Sequence, residues 1–214
     1  MKWAGFTAAI PAAMGLAGFA DGATVEGCVE LPRPAATAAL PPRYENVPAA
    51  LIGRPPPPVA VVFLEGDFPA APPATNAVLA QHHLQFAESV LPVQAGTAVE
   101  FPNHDRLFHN VFSYSKPRRF DLGRYTLGDR PPPQLFDQPG IVRLNCEIHP
   151  HMRATILVLA TPYFTRTDTN GAFRLTGLPA GRWTLRAWVE EKDVREQAVE
   201  LTGGATLKVS FPAP

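Results

Sequence analysis

The chain has 214 residues and a formal net charge of zero, with no block of like charge. That balance gives no footing for nucleic-acid binding and excludes an electrostatic tail. The 25 prolines, spread throughout, count against long helices because proline lacks the N–H and breaks helix interiors, so short apolar runs between turn residues predict an all-β chain of one large domain or two small ones.

In chain order, residues 1–20 (MKWAGFTAAIPAAMGLAGFA) carry one lysine, an apolar run and small residues at the end. This reads as a secretory signal cleaved after Ala20 or a few residues later, and it predicts a periplasmic protein with no membrane span once mature. Residues 24–31 (TVEGCVEL) alternate as a strand, residues 32–58 are an irregular Pro/Ala-rich stretch, and residues 59–64 (VAVVFL) fit a buried strand. Residues 66–75 are a linker by composition. Three short strands with a turn at Gly96 follow, through Phe101-Pro102-Asn103. His82 and His83 are neighbours, so a regular strand would point them to opposite faces; they are expected at a surface or edge. Residues 110–115 form a strand. KPRRFDLGRYTLGDRPPPQLFDQPG is polar and turn-rich, with Phe120 and Tyr125 as packing anchors and Arg118, Arg119 and Arg124 as a basic cluster, read as a solvated loop ahead of a rim for an acidic partner. IVRLNC is a strand delivering Cys146, and residues 154–160 close the unit. Beyond Thr161 come a hairpin turn at Asp168-Thr169-Asn170-Gly171 and alternating strands, with Trp183, Leu185, Ala187 and Val189 on one face.

The chemistry concentrates in Cys146-Glu147-Ile148-His149-Pro150-His151-Met152. A thiol, an imidazole and a thioether stand three residues apart. A soft thiolate with imidazole and a weak thioether suits copper better than calcium, magnesium or a hydrolytic zinc. A trigonal site needs a second imidazole from elsewhere. His109 and His104 both precede this segment, and either must be brought back by long-range strand pairing.

Cys146-x2-His149-x2-Met152 after a strand, with His109-Asn110-Val111 before it, resembles the ligand set of the cupredoxins, the small blue copper proteins; the short gap to the methionine is most like that of the amicyanins. The wider sequence over residues 75–160 (FPNHDRLFHNVFS, FDLGRY, FDQPGIVRLNCEIHPHM) is similar to the methylamine-utilisation-like group. The resemblance implies a Greek-key β-sandwich holding one type-1 copper ion. His109 Nδ1, Cys146 Sγ and His149 Nδ1 would be its equatorial ligands and Met152 Sδ its weak axial one, with His104 on the loop. It also implies that Asn110 ties the two ligand loops together through its side chain and donates from its backbone to the cysteine sulfur. His149 is then the electron's exit toward a redox protein partner. TDTNGAFRLTGLPAGRWTLRAW resembles the carboxypeptidase-regulatory-like or transthyretin-like (immunoglobulin-like) β-sandwich. That family's first strands match Val25-Glu26-Gly27-Cys28-Val29 and residues 59–64, so residues 24–66 are expected to pack with 162–214 as a second, smaller sandwich.

The function expected is a non-enzymatic, periplasmic carrier of single electrons. Copper storage or delivery would use the same ligands. A zinc hydrolase wants an open position and a placed base, and methionine is an odd zinc ligand; a Cys–His nucleophile lacks a recognisable third residue. A Cys28–Cys146 disulfide in a non-catalytic binding sandwich is the plainest alternative; copper at Cys146 leaves Cys28 as a buried thiol or a site of oxidation.

Overall fold

The computed structural model describes residues 22–33, 53–69 and 76–214. The expected signal segment, much of the Pro/Ala-rich stretch and part of the linker lie outside the described residues. The described chain is all-β, as its composition predicts. Its strands are β1 (Ala23–Val29), β2 (Val61–Glu65), β3 (Ala77–Val78), β4 (Gln81–His82), β5 (Gln85–Phe86), β6 (Val90–Gln94), β7 (Thr97–Glu100), β8 (His109–Ser115) and β9 (Arg118–Tyr125). They continue with β10 (Gln134–Phe136), β11 (Gly140–Asn145), β12 (Arg153–Leu159), β13 (Phe164–Arg166), β14 (Ala172–Leu178), β15 (Gly181–Glu190), β16 (Asp193–Leu201) and β17 (Thr206–Phe211).

One sandwich pairs a five-stranded sheet, β6-β12-β11-β8-β9, with a three-stranded sheet, β10-β7-β3. Phe101, Phe136, Val142, Leu144, Ile156 and Met152 fill its core. A second pairs β14-β1-β17 with β13-β2-β15-β16, over a core that includes Val25, Val62, Leu64, Leu185, Phe173 and Phe211. Strand β1 lies between β14 and β17, antiparallel to the first and parallel to the second. Gly27 sits where a Cβ would meet the Val209 carbonyl oxygen at 1.7 Å, so glycine is required for this approach.

The continuous apolar runs have a simple cause. In β2, Val62 and Leu64 point into one core, while Val61, with Phe63 beside it, joins a third cluster. In β12, Ala154, Ile156 and Val158 face the other core, while Leu157 and Leu159 join that same third cluster with Val90 and Trp188. Both strands are therefore buried on both faces, which replaces hydrophobic alternation with an unbroken run. The five-stranded and four-stranded sheets face each other across this cluster. Ion pairs Arg166–Glu88 and Arg143–Glu191 link the same two sheets.

Three local expectations are corrected. The stretch after Lys116 is not all loop: Arg118–Tyr125 is an edge strand of the large sheet. Charged side chains on its outward positions, a common protection of edges, disguised its alternation. The stretch from Ala77 to Glu100 contains five short strands (β3–β7), not three. His82 and His83 do not diverge, because His83 and Leu84 adopt left-handed φ of 53° and 58° in a tight turn.

Candidate metal centre

The sheet register closes the long gap between the expected donors. Strands β8 and β11 are antiparallel neighbours, with Asn145 opposite Phe112. The start of β8 and the end of β11 therefore share one end of the sandwich, which places His109 beside Cys146. The loop to β12 is closed at its base by the Asn145–Arg153 pair. Inside it, the Met152 N–H donates to the His149 carbonyl at 2.8 Å, turning the chain back.

His109, Cys146 and His149 converge with their donor atoms all within 4.8 Å. His109 Nδ1 lies 2.9 Å from His149 Nδ1, and His149 Nδ1 lies 3.7 Å from Cys146 Sγ. An ion about 2.0–2.3 Å from each nitrogen and sulfur is compatible with such edges, so this group can hold a metal ion. His109 and Cys146 are buried, at 0% and 3% exposure, while His149 is half-buried. Met152 is fully buried in the same core cluster as Cys146. His104 is exposed on the loop and is not among the converging donors.

Further contacts fix the converging donors. The His109 Nε2 meets Asp105 Oδ2 at 2.8 Å. Asp105 also accepts from the His83 N–H at 2.7 Å and the Leu84 N–H at 2.9 Å. Burial pushes the Asp105 carboxyl up, but the hydrogen bonds from Leu84, His109 and His83 outweigh it and leave its pKa below the ordinary value. Burial lowers the His109 pKa, and the Asp105 bond and charge only partly oppose this. His109 is thus a neutral imidazole at neutral pH. Its Nε2 proton is held by Asp105, and its Nδ1 lone pair is directed at the site, the arrangement that orients metal-binding histidines. Asp105 was not singled out in the sequence. Its signal was the carboxylate four residues before a candidate ligand.

Asn110 accepts from the Glu147 N–H at 3.2 Å and donates to Asp121 Oδ1 at 2.6 Å. It therefore ties the two ligand-bearing segments together, as the family resemblance implied. Beneath the site, Gln81 donates to the Tyr125 hydroxyl at 2.5 Å and Tyr125 donates to the Phe101 carbonyl at 2.8 Å. Burial pushes the Tyr125 hydroxyl pKa up, so it stays a proton donor. The basic cluster is partly compensated. Arg124 pairs with Glu147 at 2.6 Å, and Arg118 donates to Gln134 at 2.9 Å. Cys28 and Cys146 are both free thiols, the first exposed and the second buried. The disulfide alternative is not what the fold adopts.

No family model and no curated protein matches the sequence. Among solved structures, the chain is similar to amicyanin from Paracoccus versutus, with 21% identity, 46% of this chain and 97% of that one covered, and a TM-score of 0.35. It is also similar to a purple cupredoxin from Nitrosopumilus maritimus, with 20% identity, 40% and 99% coverage, and a TM-score of 0.34. A copper-containing nitrite reductase from Thermus scotoductus SA-01 matches at 25% identity and a TM-score of 0.37, over 45% of this chain. This chain spans a quarter of that enzyme's length. In each case the similarity is confined to less than half of this chain.

Proposed function

We propose that this protein is a non-enzymatic, exported type-1 copper protein that carries single electrons. The supporting observation is the convergence of one thiolate donor and two imidazole nitrogens within 4.8 Å at the end of a sandwich. That donor set suits copper. His109, Cys146 and His149 would hold the ion, and Met152, buried in the same core cluster as Cys146, would add a weak thioether donor. A copper ion held there supplies a one-electron couple between its two oxidation states.

The chain's own residues supply the rest. Asp105 holds the His109 ring in one tautomer. Asn110 fixes the distance between the β8 and β11 ends. The buried core beneath Cys146 excludes water and resists rearrangement, so one geometry serves both oxidation states. His149, half-buried, is the route by which the electron leaves. Leu107 and Phe108, 44% and 56% exposed, immediately precede His109 and offer an apolar contact for a redox protein partner. Among the described residues no helix is long and apolar enough to cross a membrane. Export, to the periplasm, rests on residues 1–20 as a signal. We assign the copper unit to residues 75–160. The second sandwich takes residues 24–66 and 162–214, consistent with the β1–β14, β1–β17 and β2–β15 pairings, and carries no chemistry in this reading.

Voltammetry of the copper-loaded protein tests the proposal. A reversible one-electron wave that survives many cycles, with copper retained against a chelator, is expected. Copper lost to the chelator without a reversible wave would make delivery the function instead.

A further inference from the structure

The turn between β4 and β5 carries a histidine pair that the metal centre does not use. His83 and Leu84 both have left-handed φ, 53° and 58°, a conformation costing an ordinary residue about 1–2 kcal/mol. This backbone folds two exposed rings together that a strand would separate. His82 Nδ1 and His83 Nδ1 lie 3.3 Å apart, and the ring centroids are 5.0 Å apart with the planes at 80°.

Neither imidazole pays for holding the turn in place. Asp105 accepts from the N–H groups of His83 and Leu84. The His83 carbonyl accepts from the Gly53 N–H at 2.6 Å. Leu84 is buried at 1% exposure, and its carbonyl accepts from His151 Nε2 at 3.0 Å. The strain is thus held by surrounding groups, and its visible result is the convergence of two nitrogen donors in solvent. Strain preserved in this way points toward use.

We propose that His82 and His83 form a second cation site, which takes a first-row divalent ion such as Cu(II) or Zn(II). Two nitrogens 3.3 Å apart subtend about 105–110° at an ion about 2.0–2.1 Å from each, close to the tetrahedral angle. With the proton of each ring on Nε2, both Nδ1 lone pairs face the ion and water completes its shell. Imidazole donors select copper, zinc or nickel over magnesium and calcium. The Asp105 carboxylate adds a negative charge beside the pair without being a ligand. The ligands are distinct from His109, Cys146 and His149, so this site does not depend on what those residues bind. A hydrogen bond between the two Nδ1 atoms is the competing arrangement, and 3.3 Å is long for one.

The test is a Cu(II) titration of the full mature protein, followed by calorimetry and electron paramagnetic resonance. The protein is expected to bind one more copper than the His109 site accounts for, with a wide-hyperfine, colourless signal split by nitrogen. His82→Ala and His83→Asn should each abolish that copper; asparagine is chosen because it tolerates positive φ. Cys146→Ser and His104→Ala should keep it. Because Cys146→Ser disturbs only the first centre, failure of the blue-copper reading leaves this result legible. In parallel, Zn(II) should shift the ring-nitrogen resonances of His82 and His83, a readout that uses no variant. A wild-type protein with no copper beyond the first centre and no shift of those resonances would overturn the proposal, as would an extra copper kept by both histidine variants.

Discussion

His109 is the residue on which the proposed centre depends most, and Asp105 is what prepares it. Asp105→Ala removes the acceptor at Nε2 and leaves the N–H groups of His83 and Leu84 without their partner. Copper affinity should fall about 10–100-fold, and the reduction potential should rise because a negative charge beside a ligand is gone; calorimetry and voltammetry check both. Met152→Leu should keep copper and also raise the potential, whereas an unchanged value would argue that Met152 is not axial. The metal-free protein should lose stability on acidification. The His109 pKa is lowered in the fold, so the unfolded chain takes up a proton first. Stability is therefore full above about pH 6.5, the ordinary histidine value, and declines as the pH falls from there toward the depressed folded value. Asp105, also lowered, adds a loss of the same sign at more acid pH. Thermal midpoints across this range should show the decline, and His109→Gln should flatten its upper part. His109, Cys146 and His149, which the fold brings together, were legible as candidate donors because donor chemistry is written in residue type and spacing. Asp105 was not, because a carboxylate in a polar loop has no distinguishing pattern until the fold sets it against His109.

At the scale of elements, strand pairing does what spacing alone cannot. The β8–β11 ladder brings residues 109 and 146 together, and Asn110 locks the two ends through Glu147 and Asp121. Asn110→Ala removes both hydrogen bonds of a buried side chain, each worth about 0.5–1.5 kcal/mol. It should cost about 1–3 kcal/mol, measured as a lower denaturant midpoint with an unchanged slope. Strands β2 and β12 were legible from their apolar runs, and β15 from its alternation, because burial dictates composition directly. Strand β9 was hidden by its outward Arg119, Asp121 and Arg124. The β4–β5 turn was hidden for a different reason. Left-handed φ in His83 and Leu84 is imposed by Asp105, Gly53 and the burial of Leu84, and no glycine marks it.

At the largest scale, four of the five sheets among the described residues stack around three clusters, and the middle cluster joins the two sandwiches. Val61, Val90, Leu157, Leu159 and Trp188 form it. Trp188 is 8% exposed, and its indole N–H is buried with no hydrogen-bond partner among the described residues. Its contribution is therefore packing. Trp188→Ala should destabilise the protein by about 3–5 kcal/mol, while leaving the absorption of the copper-loaded protein unchanged, since the site lies in the other core. Loss of colour in that variant would show that the sandwich interface shapes the ligand loop. The position of this interface was not readable in advance, because a run buried on both faces does not say which sheet covers which face.

The visible and electron paramagnetic resonance spectra of the mature protein with one equivalent of Cu(II) test the central claim most directly. An intense blue absorption with narrow copper hyperfine splitting, abolished by Cys146→Ser and retained by His104→Ala, is the predicted result. A colourless complex with wide hyperfine splitting, unchanged by Cys146→Ser, would contradict a thiolate copper centre at His109, Cys146 and His149.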